Sequence, residues 1–124
     1  MRKLPTIETS DKKQRLDKPN TKFKMVFETQ LANGYELKDM TIPHIKEFHR
    51  FVAETVYKKL TISQVDDLFL RTEGMGTAPK EIQDQKELVH YGKDRNPFRL
   101  FGYYNEDGYF VICRIDGSHT VHKE

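Results

Sequence analysis

The chain has 124 residues, with 21 Lys and Arg against 19 Asp and Glu and only 36% apolar residues. That length suits one domain with a modest core and excludes a long coiled coil or a multilayer enzyme. No apolar run could span a membrane, no secretory h-region precedes Asn20, and the single Cys113 excludes an internal disulfide, so a cytoplasmic protein without a membrane partner is expected.

Charge is unevenly spread. Residues 1–24 hold eight basic side chains (Arg2, Lys3, Lys12, Lys13, Arg15, Lys18, Lys22, Lys24) against Glu8, Asp11 and Asp17, a net +5 that leaves the remainder at −3. The expected organisation is a basic, flexible arm over 1–21 and a single domain over 22–124. Such an arm can touch phosphates or an acidic partner, or be a solvated terminus, which composition favours.

Phe23, Met25 and Phe27 alternate with Lys24, Val26 and Glu28, the period of a strand with one buried face. Asn33-Gly34 is a hairpin signal, which predicts a return strand over 35–40. Thr41 can cap a helix with Pro43 in its first turn, and Ile45, Phe48, Val52, Val56 and Leu60 follow helical spacing as its inward side. Ser63-Gln64-Val65-Asp66 reads as a capping box for a second helix running to Leu70, burying Val65, Leu68 and Phe69. Gly74, Gly76 and Pro79 make 71–79 a loop, and 80–91 can form a third helix of poor periodicity. Strands follow at 98–104, 109–115 and 118–123. The whole reads as an α+β fold: two or three helices packed on a small antiparallel or mixed sheet, with an extra N-terminal hairpin.

A four-residue loop over 105–108 pairs Tyr104 with Tyr109, and therefore Arg99 with Arg114. A two-residue turn at Asp116-Gly117 pairs Arg114 with His119. Arg99, Arg114 and His119 then form one cross-strand row, in which opposed like charges call for a bridging anion such as phosphate or for intervening acidic side chains. A bulge at Gly108 would break this row. The same face carries Phe101, Tyr103, Phe110, Ile112 and Val121, rings and apolar groups suited to stacked bases of single-stranded RNA. The other face, with Phe98, Leu100, Val111, Cys113 and Ile115, suits packing against helices. The competing reading is a solvated face whose arginines pair with Glu106, Asp107 or Glu124.

The run Phe98-Arg99-Leu100-Phe101, a turn, Tyr109-Phe110-Val111-Ile112 and then His119-Thr120-Val121-His122 resembles the end of RelE/ParE-type toxins. The resemblance covers the C-terminal quarter well and the preceding helical pair more loosely. It implies a RelE/ParE-like fold beginning with one strand before the helices. It also implies a toxin of a toxin–antitoxin pair that cleaves mRNA without metal or cofactor, as the family's ribonuclease branch typically does in the ribosomal A site, with RNA and a cognate antitoxin as partners. Arg99 stands where the family's central-strand arginine holds the scissile phosphate. His119 stands near the basic residue opening the last strand, His122 near the terminal Tyr or His, and Arg114 fits a second charge stabiliser. Strand parity puts His119 and His122 on opposite faces.

Lys86, Tyr91, Lys93 and Arg95 are candidate RNA contacts beside Phe101 and Tyr103, the lysines and arginine for phosphate and the rings for stacking. His119-x-x-His122 lacks a third ligand, so no metal site is expected. His44 and His49 read as surface helix residues, and His90 as a solvated loop residue that could line an RNA groove. Two alternatives need no catalysis: a ParE-like topoisomerase poison, and a non-toxic protein-binding module of a phage or mobile element.

Overall fold

A computed structural model describes residues 16–71, 82–83, 86–93 and 96–117. Its elements are β1 (Met25–Val26), a short 3-10 turn (Leu37–Asp39), α1 (Ile42–Thr55), α2 (Ile62–Phe69), β2 (Ile82–Gln83), β3 (Lys86–Glu87), β4 (Val89–Lys93), β5 (Asn96–Tyr104) and β6 (Phe110–Asp116). Four strands form a mixed sheet in the order β1-β6-β5-β4. In it β1 runs parallel to β6 and the other pairs are antiparallel, while β2 and β3 pair separately. The fold is α+β, with both helices packed on one face of the larger sheet. The strand expected over 118–123 and the loop expected over 72–79 lie outside the described residues.

Packing begins ahead of Lys22. Leu16 joins the core, the Ser63 N–H donates to Lys18 O at 3.1 Å, and the Ile62 N–H donates to Thr21 O at 2.9 Å. Asn33-Gly34 turns the chain, with the Tyr35 N–H donating to Ala32 O at 2.9 Å, but no return strand follows. The expected N-terminal hairpin is therefore absent. Instead Ala32 donates to Cys113 O at 2.9 Å and Tyr35 O accepts from the Ile115 N–H at 3.0 Å, so this segment satisfies the edge of β6 rather than a partner of its own. Phe27, expected inside, is exposed beyond the short β1.

Thr41 caps α1, its Oγ1 accepting from the His44 N–H at 3.5 Å. The helix turns Phe51 and Thr55 inward, with Phe48 and Val56 partly buried, whereas Ile45 points out. The buried stripe is rotated from the expected one because Phe51, absent from that spacing, meets Phe23, Phe69 and Tyr91 at ring distances of 6.0, 5.2 and 6.0 Å. The capping box of α2 starts two residues before the one expected. Thr61 N–H donates to Gln64 Oε1 at 2.8 Å, and the Gln64 N–H returns a bond to Thr61 Oγ1 at 3.3 Å. That start buries Ile62, Val65 and Phe69 and leaves Leu68 exposed.

Of the region expected as a third helix, the described residues 82–83, 86–87 and 89–91 are strand. Here Leu88, His90 and Gly92 lie on the face away from the helices, while Val89 and Tyr91 pack into the helix-side core, so the side chains alternate between two covered faces. The Arg71 N–H donates to His90 O at 2.8 Å, which occupies part of the outer edge of β4. At the centre of β5, a Cβ built on Gly102 would lie 2.1 Å from Val111 O and 2.7 Å from the Phe110 ring. Gly102→Ala is therefore expected to destabilise the fold by roughly 1–3 kcal/mol, read as a lower urea midpoint at unchanged m-value.

Candidate functional site

Two departures from ideal pairing decide what the sheet presents. Asn105 Oδ1 accepts from the Asp107 N–H at 2.9 Å and the Tyr109 N–H at 3.0 Å, holding a five-residue loop over 105–109. Tyr104 consequently pairs with Phe110, not Tyr109. A second shift lies between Phe101/Gly102 and their partners Arg114/Ile112, where Cys113 is the extra residue of a β-bulge.

The expected pairing of Arg99 with Arg114 does not form because of these shifts, and the expected pairing of Arg114 with His119 lies outside the described residues. Arg99 stands between Gly92 and Asp116, while Phe101 stands between His90 and Arg114. Arg99 thus opposes a carboxylate residue, so the argument from opposed arginines for a bridging phosphate does not apply to this pair. The shift also exchanges faces. Phe110 and Ile112 lie in the helix-side core with Phe98, Leu100 and Ile115, while Cys113 lies with Phe101, Leu88 and Tyr103 in a second cluster. Beyond the bulge the phase is restored, which returns Arg114 to the face of Arg99.

Arg99 is 5% exposed and Asp116 2%. The Arg99 Nη1 donates to Phe98 O at 2.8 Å, to Lys93 O at 3.3 Å and to Asn96 O, binding the guanidinium to the β4–β5 connection. Its side chain crosses Gly92, where a Cβ would meet Arg99 Cδ at 2.4 Å. His90 stacks on Phe101 with ring centroids 4.4 Å apart and planes 18° apart, and Phe101 is wholly buried. Arg114 is half-buried on the far side of Phe101. His90 is thus a strand residue of this face rather than a loop residue.

The other candidates separate. Tyr103 packs at the edge of the Phe101 cluster. Lys93 pairs with Glu54 at 3.3 Å and lies over the Phe69 ring at 5.8 Å, on the helix side. Tyr91 is also on the helix side, buried against Phe23 and Phe110 at 5.9 and 5.2 Å. Lys86 is placed in β3, while Arg95, His119 and His122 lie outside the described residues. An open groove of about 360 Å³ is lined by Glu28, Tyr103, Tyr104, Asn105, Glu106 and Asp107. Its three carboxylates oppose an RNA phosphate, so the groove does not belong to an anion site. Among the described residues, no group of three or more His, Cys, Asp or Glu is placed to hold a metal ion, and no helix is long and apolar enough to cross a membrane.

Sequence spacing did not single out a buried chain of hydroxyls. The Tyr91 O–H donates to Asp66 Oδ1 at 2.5 Å, so the contact of 2.5 Å between Tyr91 and Tyr104 is a bond donated by Tyr104. Lys18 Nζ closes the other side of Asp66 at 3.3 Å. Comparison with protein-family models, curated proteins and solved structures finds no match to the chain.

Burial first, then the neighbouring Tyr104 and Asp66, pushes the Tyr91 hydroxyl far above the usual phenol range; burial likewise raises Tyr104, against the opposing effect of its bond to Tyr91. A phenol in the unfolded chain titrates near pH ~10. The stabilisation is complete below that pH and is lost above it, because the unfolded chain releases protons that the fold retains. Each retained proton costs about 1.4 kcal/mol of stability per pH unit above pH ~10. Urea unfolding followed from pH 9 to 12 should show this slope, and Tyr91→Phe should make it shallower.

Proposed function

We propose that this protein is a toxin-like endoribonuclease of RelE/ParE type that cleaves mRNA with the sheet face bearing Arg99 and Arg114. The observation that carries the reading is their placement on neighbouring strands, on the sheet face opposite the helices. Support also comes from the element order: one strand precedes the helix pair and an antiparallel meander follows it, the order the resemblance implies.

In this reaction the RNA 2′-oxygen bonds to the adjacent phosphorus as its proton passes to a base, and the bond to the 5′-oxygen breaks as an acid protonates the leaving group. Arg114 stabilises charge on the phosphorane. Arg99, fixed by three carbonyls, holds the phosphate-facing sheet in shape and adds positive potential. His119 and His122 are the proposed proton carriers, since imidazole titrates near neutral pH; for both to act on one face, the last strand must be irregular or His122 must reach round its edge. Metal and cofactor have no role in this scheme. The proposed partners are RNA, on or off the ribosome, and a cognate antitoxin.

A second reading has its own observation. Phe101 is buried and the Arg99 guanidinium is bonded to backbone, which suits a face that stabilises the fold of a non-catalytic topoisomerase poison or protein-binding module.

Induced expression in a bacterial host distinguishes these readings, with growth followed alongside mapping of mRNA 5′ ends. Wild type should arrest growth and create new ends, and Arg114→Ala and His119→Ala should each lower cleavage by about 10²–10³-fold while remaining folded. Arg99→Ala is a poor probe because it removes backbone bonds; Arg99→Lys is the better companion. Arrest with intact mRNA would favour a poison. Normal growth with soluble wild-type protein would leave a binding module.

A further inference from the structure

The side of α1 turned away from the core is not an ordinary solvated face. Ile42, Ile45 and His49 recur at i, i+3 and i+7, which places them on one stripe. Ile42 is 69% exposed and Ile45 48%. Tyr57, 63% exposed just beyond the helix, brings its ring to 6.2 Å from the His49 ring at an interplanar angle of 73°. The result is an exposed apolar ridge of roughly 20 Å, the rise of the intervening residues.

Its charge is one-sided. Lys46 and Arg50 are exposed one turn apart along the edge of the ridge. Both carboxylates of the helix turn elsewhere: Glu47 accepts from Asn96 Nδ2 at 2.9 Å and Glu54 from Lys93 Nζ at 3.3 Å. Glu47 also reaches Arg50, but at 3.8 Å and in solvent, where such a contact contributes little.

We propose that this ridge docks an amphipathic helix of a partner protein, apolar along one stripe and carrying carboxylates one turn apart on its flank. The apolar stripe covers Ile42, Ile45 and Tyr57, and the carboxylates meet Lys46 and Arg50. A second copy of this chain fits less well, because antiparallel two-fold pairing sets the Lys46/Arg50 edge against itself. A lipid surface also fits less well, since three large side chains give too small a face for lasting insertion without a second anchor. The surface is separate from the arginine-bearing sheet face, so this assignment stands independently of RNA cleavage.

The test is fluorescence anisotropy of the full chain with two synthetic helical peptides sharing a leucine stripe, one flanked by glutamates and one by lysines. The glutamate peptide should bind at least about tenfold more tightly than the lysine peptide, an advantage that added salt removes. Lys46→Glu/Arg50→Glu should reverse the preference, and Ile42→Ser/Ile45→Ser should weaken both complexes, with circular dichroism unchanged. Equal binding of the two peptides, or indifference to these variants, would overturn the proposal. So would ridge-dependent binding to phosphatidylserine vesicles without peptide binding, or a dimer abolished by Ile42→Ser/Ile45→Ser.

Discussion

The pairing of β5 with β6 governs which side chains lie under the helices and which form the opposite surface. A strand has a side-chain period of two, so one residue of slip exchanges its faces. The Asn105 side chain introduces one such slip by drawing Tyr109 into the loop. Cys113 introduces a second. Between them Phe110 and Ile112 are delivered to the helices, and beyond them Ile115 is delivered to the same core while Arg114 is not. The arginine-bearing face therefore exists because two irregularities cancel in phase while displacing the register by two residues. That displacement sets Asp116, rather than a second cation, opposite Arg99.

The helix layer is tied to this sheet by a different device. Asp66 reaches Tyr91 on β4 and, through it, Tyr104 on β5, while Lys18 holds the other carboxylate oxygen. A buried phenol without a partner would cost free energy; here each hydroxyl donates in turn, ending on a carboxylate that retains contact with solvent. The polar chain crosses an otherwise aromatic core of Phe23, Phe51, Phe69 and Phe110. Apolar packing alone tolerates rotation of α2, whereas a directed bond to Asp66 does not. Tyr91 thereby serves the fold, and a base-stacking role would require exposing a ring that this network holds inside.

Much of the architecture is legible in local chemistry. Thr41 before Ile42-Pro43 marks a helix start, and the aromatic and β-branched residues of β5 and β6 mark strands, because each signal acts over a few residues. The failures are equally specific. Asn33-Gly34 makes its turn, but a turn does not create a partner strand, and the edge of β6 offers the following backbone a better one. The strand character of 89–93 is hidden because both faces of β4 are covered: His90 and Tyr91 are both buried, so neither burial nor hydropathy alternates along it. On the site, Arg99, Arg114, Phe101 and Tyr103 were correctly placed on one face, while their register depended on Asn105 and Cys113, neither of which alters a hydropathy pattern.

The same irregularity bears on how such a face can handle an anion. In an unbroken antiparallel ladder Arg99 and Arg114 would stand directly opposed, each raising the cost of the other's charge. With the bulge they lie in adjacent rows, Arg99 facing Asp116 and Arg114 facing Phe101. Arg99 is then anchored by backbone carbonyls, so its guanidinium donors are engaged before a ligand arrives. Arg114 is half-buried, beside an aromatic row that lowers the local dielectric and strengthens its field. The two arginines are therefore not equivalent: one secures the surface, and the other is the stronger candidate to meet a phosphate.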